Sequence, residues 1–368
     1  MANQNSLLFI PDITGFTKFV NETELSHSSH IISELIEILL NANELKLSVS
    51  EIEGDAVLFY KNTELPSLYA IIHQAEKMFN RFHEHIRRYE AERICRCGAC
   101  RAAVDLSLKF VVHQGEIGTI NIGKHQKLHG KDVILAHKLL KNNIKKTEYL
   151  LLTDAFDEGI KGIKLDESIT DYHFERMQES YDDVNQVNYA YLDFKHLLDQ
   201  IPAPAPLILN KPGTGSLTKT ITINQHMDKV YFNIYDFDRK QIWNPKIKQM
   251  VLVNNSINKA GVTHQCLVGN NTLEIKTLGR VENDDSIEYG ERTDNVKVFK
   301  QLSTFYKLDK TNKQTRVTLE INYDLKPAFR VFNRLIRSAI KRDAAMSLKR
   351  LKTYTENFDA QNDDDFKD

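Results

Sequence analysis

The chain has 368 residues, more than one ordinary domain holds, so two domains are expected. Its 41% hydrophobic and 27% charged residues fit folded cores with a wetted surface, and a formal net charge of -1 excludes a global field for nucleic acid or an anionic membrane. No apolar run approaches the roughly 20 residues that span a bilayer, so no integral membrane segment is expected. Residues Met1 to Asn5 lack a basic stretch leading into a cleavable apolar segment, which predicts a cytoplasmic protein, and four cysteines are too few for a disulfide scaffold.

Two short segments carry most of the chemistry: Phe9-Ile10-Pro11-Asp12-Ile13-Thr14-Gly15-Phe16-Thr17 and Glu51-Ile52-Glu53-Gly54-Asp55-Ala56-Val57-Leu58-Phe59. Each sets one carboxylate at the end of an apolar, strand-like run, with a glycine close by. Two carboxylates brought together from strand ends suit a hard divalent cation, and a glycine turn at a helix start offers backbone N–H groups to phosphate. Alone, Asp12 also reads as a helix N-cap and Asp55 as a hairpin turn residue.

In chain order, Leu7 to Pro11 reads as a buried strand, and Ser28 to Ala42 as a helix with apolar residues at Ile31, Ile32, Leu35, Ile36 and Leu39. Leu45 to Val49 and Ala56 to Tyr60 form a hairpin turning at Gly54-Asp55, and Leu68 to Ala91 is a second long helix. Leu106 to His113 is a strand paired with Ile117 to Ile122 through Gln114-Gly115-Glu116, and Val133 to Leu140 is a third helix. This order is the βαββαβ plan, an antiparallel sheet with helices on one face. Between the second helix and the third strand lies Cys95-Arg96-Cys97-Gly98-Ala99-Cys100, whose spacing in a reducing compartment fits thiolate ligation of zinc, with His83, His85, His125, His129 or a partner's cysteine as fourth ligand; incidental thiols in a loop are the alternative.

Alternating proline at Ile201-Pro202-Ala203-Pro204-Ala205-Pro206 marks a linker over 201–216, between a domain at 1–200 and one at 217–358, with an acidic flexible tail at 359–368. Leu217 to Ile223 alternates like a half-buried strand, residues 224–236 form a short helix pair, and Trp243-Asn244-Pro245 follows. Strands are expected at Ile247–Asn254, Thr263–Val268, Leu273–Val281, Ser286–Asp294, Val298–Leu308 and Thr315–Leu325, before a helix from Pro327 to about Phe358. Its basic residues, Arg330, Arg334, Arg337, Lys341 and Arg342, read as a solvated face.

Four elements over about residues 5–195 resemble a class III nucleotidyl cyclase (adenylate/guanylate cyclase) domain: Asp12 to Thr17, Gly54-Asp55-Ala56-Val57, Phe110 to Glu116 with Gly123, and Gly130-Lys131-Asp132-Val133 leading into Ala136 to Leu139. The resemblance implies a homodimer, two Mg or Mn ions on Asp12 and Asp55, and a triphosphate cradled by Ile13, Thr14, Gly15, Phe16 and Thr17. It also implies base selection by Glu51 and Lys127. Glutamate accepts from N1–H and N2 of guanine and lysine donates to O6, so guanine is favoured over adenine; a surface ion pair between the two is the alternative. The positions of the family's transition-state Asn and Arg hold Ile134 and Lys138. Isoleucine offers no hydrogen bond, and lysine keeps charge at a catalytic position without the planar fork. The expectation is a nucleotide- and metal-binding protein with weak or lost cyclase activity; an active purine nucleotide cyclase is the alternative.

Residues 215–360 resemble the START-like helix-grip family, also called SRPBCC or polyketide cyclase/dehydrase-like, which implies a cavity for a hydrophobic small molecule lined by Trp243, Phe329, Phe332 and Ile336. These aromatics also read as plain core. The whole is expected to be α+β: a ferredoxin-like βαββαβ cyclase-type domain followed by a helix-grip (START-like) domain, with a signalling role.

Overall fold

The computed structural model describes residues 4–23, 25–123, 125–156, 172–181, 184–205, 207–252, 258–268, 271–294 and 296–357. Two compact units emerge: Met1–Arg88 with Arg101–Pro204, and Tyr89–Cys100 with Ala205–Asp368. The cysteine segment therefore groups with the C-terminal residues, although it interrupts the first unit in sequence. Residues 359–368, expected as a tail, lie outside the described residues, as does Phe358.

The first unit is built on β1 (Gln4–Thr14), whose central residues Leu7, Leu8, Phe9 and Ile10 are apolar in succession and all buried, because both faces of the strand are covered there. Leu8 and Ile10 join a cluster with Val111, Leu151 and α5 (Lys131–Leu139). Phe9, on the other face, meets Phe59 and Phe110, and Phe110 in turn meets Phe194, against which Phe79 of α3 (Leu68–Glu92) packs. The expectation of helices on one face alone is thus corrected. The remaining elements include α1 (Phe16–Glu22), α2 (Leu25–Asn41), β2 (Ser48–Glu53), β3 (Ala56–Lys61), β4 (Ser107–Ile122) and β5 (His125–His129), while α4 (Gly98–Ala102) begins in the cysteine segment and ends at the first unit's return. They end with β6 (Tyr149–Thr153), β7 (Phe174–Tyr181) and β8 (Val184–Asp193). The strand order is β2-β3-β1-β4-β6-β8-β7, with β5 paired to β4. Its first four strands, all antiparallel, carry the βαββαβ plan.

The sequence places a hairpin at Gln114-Gly115-Glu116; β4 instead runs unbroken from Ser107 to Ile122, pairing with β1 from Thr14↔Ser107 to Gln4↔Ile117. Gly115 serves packing rather than turning. A Cβ there would lie 2.4 Å from Cγ of Asp132, whose carboxylate accepts from the Glu116 amide at 2.8 Å and sits 3.3 Å from His113 Nε2.

In the second unit, β9 (Gly215–Ile223) is followed by α6 (Met227–Tyr235), α7 (Phe237–Trp243), β10 (Ile247–Leu252), β11 (Thr263–Val268) and β12 (Asn271–Asn283). After them come β13 (Ser286–Asp294), β14 (Phe299–Thr311), β15 (Gln314–Leu325), a 3-10 turn (Pro327–Phe332) and α8 (Asn333–Asn357). The sheet is antiparallel in the order β10-β11-β12-β13-β14-β15-β9, so the first strand closes against the last. Helix α8 grips it through Ala344, Leu348, Leu351 and Thr355, spaced at helical period along its C-terminal half. The stretch expected as a linker is anchored: Lys211 reaches Glu288 at 2.5 Å and Glu320 at 2.9 Å, and the Thr214 amide donates to Asp324 at 2.8 Å.

Candidate nucleotide and metal site

Asp12 and Asp55 meet because β1 and β3 are neighbours. Asp12 pairs in register with Ala56, and the Ile13 amide donates to the Asp55 carbonyl at 3.1 Å. On the other side of β1, Asp12 faces Lys109 of β4, whose ammonium stands 3.0 Å from the Asp12 carboxylate and 2.9 Å from the Leu140 carbonyl. Burial, and then the negative charge of Asp12, push the Asp55 carboxyl up to about 6, while backbone donation and Lys109 pull the other way. Two adjacent carboxylates sharing one ammonium are short of positive charge. The donor set, hard oxygens at the ends of neighbouring strands, fits a magnesium- or manganese-like ion.

Of the backbone at residues 13–17 that the resemblance assigns to phosphate, part is already engaged within the fold. The Ile13 amide is spent on Asp55, and Thr14 lies within the β1–β4 ladder, its hydroxyl donating to the Thr147 carbonyl at 3.4 Å. Ile13 and Thr14 are therefore corrected from cradle to ladder. Gly15, at φ +92, turns the chain into α1, leaving the first-turn amides around Phe16 and Thr17 beyond the ladder. The Phe16 ring packs on Gly54, where an added Cβ would meet it at 3.5 Å, so the two motifs are also joined by packing.

Glu51 and Lys127 come together: Lys127 Nζ lies 3.1 Å from Glu51, and the lysine is held more basic by that carboxylate. His137 stands 3.7 Å from Glu51 and 3.8 Å from Glu53. Ile134 is exposed on α5, one turn before the half-buried Lys138. His113 is a structural residue, buried between Thr153 (2.8 Å) and Asp132 (3.3 Å), and burial lowers its basicity. Lys109 was also missed; only the register shows that its β4 position opposes Asp12.

In the second unit, Trp243 is buried and donates from its indole to the Asn233 carbonyl at 2.6 Å. It borders a cleft of about 780 Å³ with Ile242, Met346, Arg350 and Tyr354. Phe329 and Phe332 are at the surface, and neither they nor Ile336 line this cleft. Their helical spacing marks one face of the segment, but that face is not packed into a core. The Sγ atoms of Cys95, Cys97 and Cys100 lie within 4.8 Å of one another, a group able to hold a metal ion. His83 is engaged by Glu148 at 2.9 Å and His85 by Glu34 at 3.4 Å, and neither belongs to the group of ligand atoms; nor does His129, while the His125 side chain lies outside those described. Among the described residues, no helix is long and apolar enough to cross a membrane.

Residues 32–149 match a family described as "Protein of unknown function (DUF2652)". A curated relative, "Uncharacterized protein Rv2561/Rv2562" of Mycobacterium tuberculosis, is 30% identical over 134 residues, which span 35% of this chain and 62% of that protein. This chain thus covers less than two thirds of that relative's length. The adenylyl cyclase CyaB from P. aeruginosa is a similar solved structure, at 13% identity and TM-score 0.38, covering 52% of this chain and 94% of that one. Another is the guanylate cyclase domain of RhGC from Catenaria anguillulae, solved in complex with GTP, at 15% identity and TM-score 0.37, covering 52% of this chain and 98% of that one. Residues 214–356 match the family described as "Polyketide cyclase / dehydrase and lipid transport".

Proposed function

We propose that the chain is a divergent cyclase-homology protein of the cytoplasm that binds a divalent cation and a purine nucleotide on its first unit, as a homodimer, with weak or lost cyclase chemistry. Its second unit takes a hydrophobic small molecule in the cleft beside Trp243. The observation that carries the first part is the side-by-side placement of Asp12 and Asp55, where burial and then the charge of Asp12 push the Asp55 carboxyl up to about 6, a strain on the ionised pair that a cation would relieve. A magnesium or manganese ion there would neutralise phosphate charge. The chain's own groups do the rest: the first-turn amides of α1 orient phosphate oxygens, and Glu51 and Lys127 face the guanine edge once they part from each other. Weak chemistry follows from Ile134, which donates nothing, and from Lys138, a point charge in place of a fork. An active cyclase favouring GTP over ATP is the second reading, favoured by the cation retained at Lys138. A zinc ion on Cys95, Cys97 and Cys100 is a separate metal of the second unit in this proposal.

Calorimetric titration of the full chain with GTP and manganese, alongside an assay for cyclic nucleotide, tests the first unit. Binding that disappears in the Asp12→Ala, Asp55→Ala double variant, with little or no cyclic product, is the expected result. Binding unchanged in that variant removes the site, and rapid turnover selects the second reading.

A further inference from the structure

Cys95 and Cys100 are buried, and Cys97 is partly exposed. No disulfide joins them. The Tyr235 hydroxyl donates to Cys95 Sγ at 3.2 Å, and the Tyr89 hydroxyl lies 3.2 Å from Cys100 Sγ. Two backbone amides point at sulfur as well, Cys97 N to Cys95 Sγ at 3.3 Å and Cys100 N to Cys97 Sγ at 3.4 Å. Donors converging on sulfur suit thiolates better than thiols, since a thiolate is the stronger acceptor. Three sulfurs packed within 4.8 Å of one another cannot all ionise without a cation between them.

Zinc with three thiolates carries one net negative charge, and a counter-charge is at hand. Arg93 lies within electrostatic reach of Arg280, Glu282 and Cys100, and its Nε and Nη1 are buried with no hydrogen-bond partner. The segment itself is held rigidly, because the Ile94 carbonyl accepts from the Tyr231 hydroxyl at 2.8 Å and from Arg280 at 3.4 Å. The three sulfurs are thus presented by a fixed backbone rather than a loose loop.

A structural zinc site has four protein ligands, whereas a site with three keeps a position open. Among the described residues, the ligand group contains Cys95, Cys97 and Cys100 and no fourth cysteine, histidine or carboxylate. A tyrosine hydroxyl lies against each of the two buried sulfurs, whereas Cys97 is the partly exposed member of the three. We infer that Cys95, Cys97 and Cys100 form a three-thiolate zinc site whose fourth position opens beside Cys97 to a small ligand from outside the chain, such as an imidazole or a thiol. This rests on the zinc reading of the cluster and adds the open position to it.

Cobalt(II) added to the reduced, metal-free full chain reports both points. One equivalent should produce a thiolate-to-cobalt charge-transfer band with intense tetrahedral d–d bands, and zinc should bleach them. Cys97→Ser should lose most of the charge-transfer intensity, Tyr235→Phe should weaken metal binding by roughly 10- to 100-fold, and Cys266→Ser should change neither. Added imidazole should shift the d–d bands of the loaded protein. Absence of the charge-transfer band in the unmodified chain overturns the zinc reading itself. A normal band that imidazole leaves unmoved overturns only the open position and makes the site a closed structural one. Both decisive readings use the unmodified chain, so a variant that fails to fold does not decide the matter.

Discussion

Lys109 sets the electrostatics of the carboxylate pair. Its ammonium is the nearest counter-ion to Asp12, and both side chains are mostly buried. Lys109→Met would leave Asp12 charged beside Asp55 with nothing opposite. The metal-free variant should lose about 2–3 kcal/mol in urea unfolding, and it should gain more from added manganese than the parent does. An equal gain in both would show that the lysine and the metal do not share a site. Asp55 adds a pH dependence whose sign follows from its direction of shift. Folding raises its pKa from 3.8 to about 6, so between these values the folded state binds more protons and stability falls as pH rises. Asp55→Asn should therefore flatten that fall and stabilise the metal-free protein at pH 7 by about 1 kcal/mol, the full shift being discounted because the group is half exposed. A cation needs the ionised form, so manganese affinity should drop by up to roughly tenfold per pH unit below about 6. Titrations at pH 5 and pH 7 that give the same affinity would place the metal elsewhere.

Strand β4 shows how one element can read wrongly from pattern alone. Glycine after His113-Gln114 looks like a turn, yet the strand runs straight through it because Asp132 needs the space a Cβ would fill. Gly115→Ala should cost about 1–3 kcal/mol in thermal or urea unfolding, since Asp132 must leave the Glu116 amide and His113 to make room. A neutral substitution would mean that Asp132 is free to move. The same distinction separates what was legible from what was not. Helices α2, α3 and α5 and strands β3, β11 and β13 follow from periodicity, because each buries one coherent stripe or run. Asp12 and Asp55 stand out since each ends an apolar strand. Lys109 did not, because a lysine in a strand reads as solvent-facing until the register sets it opposite Asp12. Phe329 and Phe332 were misread for a related reason: spacing names the apolar face of a helix but not whether anything covers it. The cysteines were visible, but their membership of the second unit depends on Tyr235 and Tyr231, about 140 residues away in sequence.

The two units present different donor atoms for the proposed metals, and this makes their independence measurable. Hard carboxylate oxygens lie in the first unit and three clustered cysteine sulfurs in the second. A ligand that binds only the folded form stabilises the unit that holds it, by about 2.7 kcal/mol at a hundred times its dissociation constant. Scanning calorimetry of the full chain should therefore resolve two transitions. Manganese should raise one and leave the other in place; removal of zinc by a chelator should lower the second alone. Asp12→Ala should abolish the manganese effect, and Cys97→Ser should mimic the chelator. The chain path sets a limit on this independence, because residues 89–100 belong to the second unit while both flanks, ending at Arg88 and resuming at Arg101, belong to the first. Melting of the second unit releases that segment without breaking the first unit's sheet, whereas melting of the first loosens both of the segment's anchors. The coupling should thus be one-sided: stabilising the first unit with manganese leaves the second transition unmoved as long as the first unit melts last. A single transition that moves with either metal would show that the units fold as one cooperative body.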